Sequence, residues 1–269
     1  MDLGLGGGVA VVTGGANGIG LACAQGLARE GCRVALWDLA PEVEGVAAAL
    51  GRELGVAALG LRVDVADFAG LQAAVGETLS KLGPIDHLVH AAAIGSGKFG
   101  YPFTNLEPQD WPRVLEVNVM GMVNVAHAVA PGMMARKRGT LVFLASVAGQ
   151  IGSQTDPPYS ASKAANINFT QCLARDLAPC GIRVNAVCPG MVRTQLNERI
   201  WQAWRERQPP ENRRSFEEWG SEKVRAVAPL GRWQELEDVA NMVVFLSSRR
   251  AAQVTGQTIN VDGGQVMHW

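Results

Sequence analysis

The chain has 269 residues, 48% of them hydrophobic, which is enough for one large α/β domain or two small ones. Its 24 basic and 25 acidic residues leave a formal net charge of −1, and this balance argues against a nucleic-acid binder, which would carry a basic excess. The five cysteines form neither a CxxC pair nor a zinc-ligand spacing, so we expect reduced thiols and no metal site.

Short apolar runs rich in β-branched residues alternate with longer amphipathic stretches along the chain. The runs predict strands at residues 9–13, 33–37, 57–63, 87–90, 139–145, 182–187 and 258–261. The stretches between them predict helices at 18–30, 42–54, 68–82, 109–136, 159–178 and 236–246. Near-continuous apolar strands that alternate with helices indicate a parallel sheet covered on both faces.

The N-terminal sequence MDLGLGGGVAVV lacks a basic segment followed by a long apolar one, so we expect no signal peptide. No apolar run reaches about 18 residues without a charge or a helix breaker, so we also expect no membrane span. Together these features predict a cytoplasmic protein.

The sequence becomes polar over residues 195–227, where it contains a Pro-Pro pair and several interspersed aromatic residues. This pattern predicts two short helices and a loop. A long connection in a compact domain is often a lid over a binding site. A surface insertion or a subunit contact, with the aromatic residues packed down, is the alternative.

A glycine-rich turn, TGGANGIG at residues 13–20, follows the first predicted strand and precedes the first predicted helix. Glycine at positions 14, 18 and 20 allows a tight turn and lets backbone N–H groups approach a pyrophosphate at a helix N-terminus. The position of this turn within a β-α-β unit predicts a dinucleotide site.

Asp38 directly follows the second predicted strand, 18 residues after Gly20, where a carboxylate can accept hydrogen bonds from ribose hydroxyls. A carboxylate there also repels a 2′-phosphate. No Lys or Arg occupies positions 39–40 or 14–17, so we expect NAD rather than NADP. An aspartate that merely ends a strand is the alternative.

Two further residues, Tyr159 and Lys163, are four positions apart, so they share one face of a helix. A free tyrosine, with a pKa of about 10, is a poor base at neutral pH, and a nearby cation lowers that pKa. We therefore expect Tyr159 to be a general acid/base whose pKa Lys163 brings toward the working pH.

The chain resembles the short-chain dehydrogenase/reductase family over essentially its whole length. The resemblance rests on motifs that occur in the family's order: TGGANGIG, Asp38, LEVNVMG around Asn118, VFLASVAG around Ser146, Tyr159-x-x-x-Lys163, NAVCPGMVRT and GQTINVDGG. The resemblance implies a Rossmann-type, doubly wound sheet of seven parallel strands in a single domain, 1–269, that forms a homotetramer or dimer. It implies the catalytic set Asn118, Ser146, Tyr159 and Lys163, with Asn118 holding a water that links Lys163 to solvent and Lys163 binding the nicotinamide ribose.

The resemblance also implies the residues that contact the cofactor. They are Gly14, Asn17, Gly18, Ile19, Gly20, Asp38, Asp64, Val65, Ala91, Ala92, Tyr159, Lys163, Pro189, Gly190, Val192 and Thr194.

One motif departs from the family pattern. Where many members have Asn-Asn-Ala-Gly after the fourth strand, this chain has His90-Ala91-Ala92-Ala93. We expect His90 to be a structural residue, because no second metal ligand lies near it in the sequence. A catalytic or metal-binding histidine is the alternative.

The resemblance implies that the substrate meets Ser146, Gln150 and Tyr159, together with the loop 147–155, the neighbourhood of Ser96, and Trp201 or Trp204 of the 195–227 lid. The function expected is an NAD(H)-dependent interconversion of a secondary alcohol, with polyols and sugars as candidates, and a ketone. A 3-oxoacyl-thioester reductase and a catalytically silent NAD(H)-binding sensor are the alternatives. The C-terminal residues His268 and Trp269 either close a partner subunit's pocket or only pack at an interface.

Overall fold

Seven short runs of apolar sequence form one parallel sheet. The computed structural model describes residues 2–98, 103–152 and 156–267. The strands lie in the order β3-β2-β1-β4-β5-β6-β7, and every pair of neighbours is parallel. They are β1 Val9–Thr13, β2 Arg33–Asp38, β3 Ala58–Arg62, β4 His87–His90, β5 Gly139–Leu144, β6 Ile182–Pro189 and β7 Thr258–Val261. The predicted strands are confirmed, with ends that differ by at most two residues.

Helices connect the strands and cover both faces of the sheet, which confirms the doubly wound α/β fold. The helices are α1 Gly18–Arg29, α2 Val43–Leu54, α3 Phe68–Lys81, α4 Pro112–Leu115, α5 Gly121–Arg136, α6 Pro157–Leu177, α7 Gln195–Glu206, α8 Phe216–Val227 and α9 Leu236–Ser247.

The sheet separates two hydrophobic cores. In β1 all five residues are buried, and alternate side chains enter opposite cores because successive side chains of a strand point to opposite faces. Ala10 and Val12 join α1, α2 and α9 in one core, whereas Val9 and Val11 join α3 and α5 in the other. Burial on both faces explains why the strands are apolar without interruption.

The stretch predicted as one helix, residues 109–136, is divided in the structure. A 3-10 turn at Pro108–Asp110 leads into α4, a π-helical turn at Glu116–Met120 follows, and α5 completes the stretch. Judged by length and composition alone, the helical stretch Pro108–Arg136 could cross a membrane, but half of its most apolar part is buried in the fold. A core helix of a soluble protein passes the same test, so this is weak evidence for a span.

The chain reverses its direction of winding between β1 and β4, because β2 and β3 lie on one side of β1 and β4 to β7 lie on the other. In such sheets ligands bind outside the carboxyl ends of the strands at this switch point. The glycine-rich turn after β1 and the Ala91-Ala92 segment after β4 meet there, which places the predicted nucleotide site at the switch point.

Residues 195–227 form α7, α8 and a connecting loop, as the sequence predicts. Their aromatic side chains pack on one another beside Trp233. The cluster consists of the buried Trp219 and Trp233, with the partly buried Met191, Ile200, Trp201, Trp204 and Phe216 packed against them. It forms a small separate core outside the two cores of the sheet.

Candidate active site

The glycine-rich turn is shaped by close backbone contacts. Gly14 has a positive φ of 64°, and a Cβ atom there would lie 2.8 Å from the backbone nitrogen of Ala92. Gly18 also has a positive φ, 52°, but a Cβ at Gly18 would meet open space. The Asn17 side chain does not cap α1, so the first N–H groups of this helix receive no side-chain cap from it. This open, uncapped helix N-terminus fits the pyrophosphate of a dinucleotide.

Asp38 is the last residue of β2 and lies beside this turn. Its Oδ2 accepts a hydrogen bond from the backbone N–H of Ala16 at 2.9 Å, and its Oδ1 accepts one from Ala40 at 3.0 Å. The carboxylate is therefore fixed at the edge of the turn, where the sequence places the adenosine ribose.

Asp64 and Val65 follow β3 on the same edge of the sheet. Asp64 Oδ1 accepts from the Ala66 N–H at 2.9 Å, and its Oδ2 lies 3.6 Å from Arg113 Nη2. Val65 is buried, and Gly121 at the start of α5 leaves room for its side chain. Both residues thus lie at the same sheet edge as Asp38 and the glycine-rich turn, where the family resemblance implies cofactor contacts.

Three of the four predicted catalytic side chains meet at the carboxyl end of β5. Two prolines open α6, and their fixed φ suits the first turn of a helix that carries both Tyr159 and Lys163. The Ser146 side chain lies close enough to Tyr159 to lower the pKa of its phenol. Lys163 Nζ lies 5.4 Å from the centroid of the Tyr159 ring and donates to the carbonyl of Leu144 at 2.7 Å.

The pKa values of this group differ from the expectation. Removal from water raises the pKa of Tyr159 to about 12, the nearby Ser146 hydroxyl group opposes this rise, and the nearby Asp156 raises the pKa further. Burial lowers the pKa of Lys163 to about 8. The expected lowering of the Tyr159 pKa by Lys163 is therefore absent from the protein alone, because removal from water outweighs it and the ammonium group is bound to a carbonyl.

Asn118 lies in the π-helical turn, and its side chain bonds to Ile94 and Ser162 rather than to the hydroxyl group of Tyr159. Its Oδ1 accepts from the backbone N–H of Ile94 at 2.8 Å, and its Nδ2 donates to the carbonyl of Ile94 and to Ser162 Oγ, both at 2.9 Å. Ser162 Oγ in turn donates to the carbonyl of Tyr159 at 2.7 Å. The side chain therefore braces the loop after β4 against α6, so a water relay would have to use the backbone of Asn118.

His90 is buried at the end of β4 and hydrogen-bonds across to β1. Its Nδ1 is hydrogen-bonded to Thr13 Oγ1 at 2.8 Å, and the same Oγ1 accepts from the Ala92 N–H at 3.3 Å. Burial, with a contribution from Lys163, lowers the pKa of His90 to about 3, which keeps it neutral. This position between two strands agrees with the structural role expected from the sequence.

Gln150 is tied to the last strand. Its side-chain amide exchanges two hydrogen bonds with Asn260 of β7, at 2.8 and 2.9 Å. Asn260 also donates to the carbonyl of Val266 at 3.1 Å. Gln150 therefore joins the loop after β5 to the C-terminal segment, a role that the sequence did not predict. Residues 153–155 of the expected substrate loop, and His268 and Trp269, lie outside the described residues.

The segment after β6 is held by its own local contacts. Pro189 is the last residue of β6, and a Cβ at Gly190 would lie 2.8 Å from the Cβ of Asp262. Val192 is buried and pairs with Gln234, while Thr194 Oγ1 accepts from the Asn197 N–H at 3.4 Å and caps α7. These contacts place the segment beside the site but do not assign its residues to a ligand.

Trp201 and Trp204, which the sequence places over the substrate, pack mainly within the aromatic cluster. Their rings lie 5.8 Å from Phe216 and 6.3 Å from Trp219, respectively, measured between centroids. The indole N–H of Trp201 donates to the carbonyl of Arg214 at 3.1 Å. The sequence shows that positions 201 and 204 are aromatic, but it does not show whether their side chains face the substrate or the aromatic cluster.

Sequence reasoning missed Asp156, which precedes the prolines of α6. This buried carboxylate accepts from the backbone N–H of Ser96 at 2.8 Å, and burial raises its pKa. Asp156 thereby joins the loop after β4 to the start of the helix that carries Tyr159. An acidic residue just before a helix was the available signal, since Asp is a favoured N-cap residue.

The comparisons with known proteins agree with this site. A family model described as enoyl-(acyl carrier protein) reductase matches residues 14–266. The chain is 34% identical to acetoacetyl-CoA reductase of Shinella zoogloeoides over 96% of this chain and 98% of that protein.

Two solved structures are also similar. L-sorbose reductase from Gluconobacter frateurii, complexed with NADPH and L-sorbose, has a TM-score of 0.91 and 32% identity, with 100% of both chains covered. NAD⁺-bound xylitol dehydrogenase has a TM-score of 0.89 and 32% identity, covering 97% of this chain and 100% of that one. Over nearly its whole length, with its nucleotide turn and its Ser-Tyr-Lys group in place, the chain belongs to the short-chain dehydrogenase/reductase family of oxidoreductases.

Proposed function

We propose that the chain interconverts a secondary alcohol and a ketone with NAD(H), and that Tyr159 transfers the proton. One observation carries the proposal: Ser146, Tyr159 and Lys163 lie together at the carboxyl end of β5, at the same sheet edge as the glycine-rich turn. A proton donor and a nucleotide site on one edge of the sheet are the two components that such a reaction needs.

The bound nicotinamide supplies the hydride chemistry. During ketone reduction Tyr159 gives its proton to the carbonyl oxygen, and during alcohol oxidation its phenolate takes the proton from the hydroxyl group. Ser146 donates a hydrogen bond to the same oxygen and stabilises the charge that develops there. Lys163, held by the Leu144 carbonyl, supplies a positive charge near the phenol and binds the nicotinamide ribose.

The preference for NAD(H) rests on Asp38. A carboxylate fixed by two backbone N–H groups can accept the ribose hydroxyls and disfavours a 2′-phosphate. The two similar structures carry different cofactors, NADPH in one and NAD⁺ in the other, so the comparisons do not decide between them.

A polyol or sugar-like substrate is the candidate that the similar structures favour, since their names include L-sorbose and xylitol. A cavity of about 350 Å³, lined by Phe103, Leu106, Trp111 and Pro157 among others, opens beside the first turn of α6. Its mostly apolar lining would suit a substrate with some apolar character next to the reacting carbon.

A thioester substrate is the second candidate. It is favoured by the similarity to acetoacetyl-CoA reductase and by the description of the matching family model. The near-neutral charge of the chain speaks against a large basic surface for an acidic carrier protein.

Oxidation of NADH and NADPH can be followed by absorbance with ketoses, simple ketones and acetoacetyl-CoA in parallel. We expect faster turnover with NADH and with a ketose or another hydroxyketone. Turnover confined to the thioester would favour the second candidate. No turnover with any ketone, despite binding of NADH, would contradict the proposed function and favour a binding protein without catalytic activity.

A further inference from the structure

Asp156 lies three residues before Tyr159, directly before the two prolines that open α6. The residue is buried, with an exposed fraction of 5%. Its Oδ2 accepts a hydrogen bond from the backbone N–H of Ser96 at 2.8 Å. Asp156 thereby fixes the loop after β4 against the segment that leads into α6, and the family resemblance implies that the substrate lies beside both.

The second oxygen of this carboxylate has no partner of its own. Within the part of the chain that the structure describes, Oδ1 is buried and accepts no hydrogen bond, and no cation forms an ion pair with Asp156. Asp86 is different: its buried Oδ1 also accepts no hydrogen bond, but Arg136 and Arg138 lie 3.6 and 3.1 Å from it. Burying a carboxylate oxygen without a donor or a cation costs free energy, so this oxygen of Asp156 is available to accept a hydrogen bond from a ligand.

The carboxylate is also close to the catalytic tyrosine. Its charge raises the pKa of the Tyr159 phenol, so the two groups lie near enough to interact. Pro157, the residue after Asp156, lines the cavity of about 350 Å³ that opens beside the first turn of α6. A substrate whose reacting carbon lies at Tyr159 therefore brings its neighbouring carbons within reach of Asp156.

The chemistry of the free oxygen selects the ligand. An ionised carboxylate only accepts hydrogen bonds, and those that it accepts from hydroxyl groups are short and strong. A polyol or a ketose carries a hydroxyl group on the carbon next to the reacting one and can donate, whereas a simple ketone leaves the oxygen unpaired. An anionic group at the same position would be repelled by the charge of the carboxylate.

We propose that Asp156 is a specificity-determining residue whose Oδ1 accepts a hydrogen bond from a substrate hydroxyl group one or two carbons away from the reacting carbon. The chain then acts on neutral hydroxyketones and polyols in preference to simple ketones and to anionic ketones. The inference deepens the proposed function and rests on it for the position of the reacting carbon. It also speaks against the thioester candidate, because an acetoacetyl thioester has no hydroxyl group at these positions.

Reduction by NADH tests this preference with butanone, acetoin, 4-hydroxy-2-butanone and acetoacetate, and with D-fructose as a ketose. Acetoin has its hydroxyl group on the carbon next to the carbonyl, and 4-hydroxy-2-butanone has it one carbon further away, where acetoacetate carries its charge. The variants are Asp156→Asn, which keeps the volume and can still accept from the Ser96 N–H, and Asp176→Asn. Asp176 is an exposed acid near the other end of α6 and is the matched control.

In the unmodified chain, kcat/KM for the better of the two small hydroxyketones should exceed that for butanone by at least about tenfold. Asp156→Asn should lower kcat/KM for this hydroxyketone and for D-fructose by about tenfold, because a neutral hydrogen bond replaces a charge-assisted one. Butanone should change by less than about twofold, and acetoacetate should improve by about fivefold because the repulsion is removed. Asp176→Asn should change none of these values.

An equal loss for butanone and the hydroxyketones in Asp156→Asn would show that Asp156 only braces the two segments. That result, or unchanged values for all the hydroxyl-bearing ketones, would overturn the subsite and leave the proposed function intact. Equal kcat/KM values for butanone and both small hydroxyketones in the unmodified chain would also overturn it, and this comparison needs no variant that folds. If the unmodified chain reduced none of the five compounds, both the subsite and the proposed function would be overturned.

Discussion

The nucleotide side and the catalytic side of the site are built in different ways. Around the glycine-rich turn, the structure depends on backbone: Gly14 touches Ala92, and Asp38 is held by two backbone N–H groups. Around Tyr159, it depends on side chains: the Lys163 ammonium group lies over the Tyr159 ring and donates to the Leu144 carbonyl, and Asn118 donates to Ser162 Oγ. Substitutions on the first side should therefore change cofactor binding, and those on the second should change turnover.

The largest effect is expected on the catalytic side, for Tyr159→Phe. Removal of the hydroxyl group takes away the proton donor and leaves the ring in place. We expect kcat/KM to fall by about 10²–10⁴-fold, the usual contribution of general acid–base catalysis. The dissociation constant of NADH, measured by fluorescence titration, should be nearly unchanged. If turnover survived, the two sides would not be separated as proposed.

The next largest effect is expected for Ser146→Ala. The hydroxyl group lies beside Tyr159 and, in the proposal, donates to the substrate oxygen, so its loss should lower kcat by about 10²-fold, as for a lost oxyanion donor. Steady-state kinetics would measure this fall in kcat. Ser160→Ala is a control on α6, since Ser160 contacts only the Ala148 carbonyl through its hydroxyl group among the described residues. Equal losses in both variants would point to a structural effect on α6.

A smaller effect is expected for Trp219→Ala, which tests whether residues 195–227 cover the substrate. Trp219 is buried and stacks on Phe216, so its loss should loosen α7 and α8 without unfolding the sheet. We expect KM for the alcohol to rise by about tenfold, with the NADH dissociation constant unchanged. Leu79→Ala, an exposed residue of α3, is the control. If KM stayed unchanged although α7 and α8 were loosened, the result would favour a surface insertion over a lid for residues 195–227.

The smallest effect is expected on the nucleotide side. Asp38→Ala should weaken NADH by about fivefold through the lost hydrogen bonds to ribose and should favour NADPH relative to NADH. The value of kcat at saturating NADH should stay the same. Tighter binding of NADPH than NADH by the unmodified chain would show that Asp38 does not set the preference.

The sequence predicted well those features that depend on local backbone chemistry. The apolar runs predicted the strands, and TGGANGIG predicted the turn, because a glycine with a positive φ and close neighbours leaves a fixed sequence pattern. The spacing of Tyr159 and Lys163 likewise predicted one helix face.

Features set by contacts between distant segments were not predicted. Asp156 lies 60 positions after Ser96 in the sequence, and only the fold brings its carboxylate to the backbone N–H of Ser96. Gln150 is 110 positions from Asn260, and the π-helical turn at Asn118 has no sequence pattern that would reveal it. The pKa of Tyr159 depends on burial, which no motif records.

The dependence of ketone reduction on pH tests the central claim most directly, namely that Tyr159 is an acid that holds its proton at neutral pH. With its pKa raised to about 12, Tyr159 stays protonated throughout the neutral range, and Lys163, with a pKa of about 8, keeps most of its charge below that pH.

At saturating NADH, kcat/KM for the ketone should therefore be nearly constant from about pH 6 to 7.5, while alcohol oxidation, which needs the phenolate, should become faster as pH rises. A fall in kcat/KM for the ketone of about tenfold per pH unit over this range is the steepest that the loss of one proton can cause. Such a fall would show that the pKa of Tyr159 is lowered and would contradict the account.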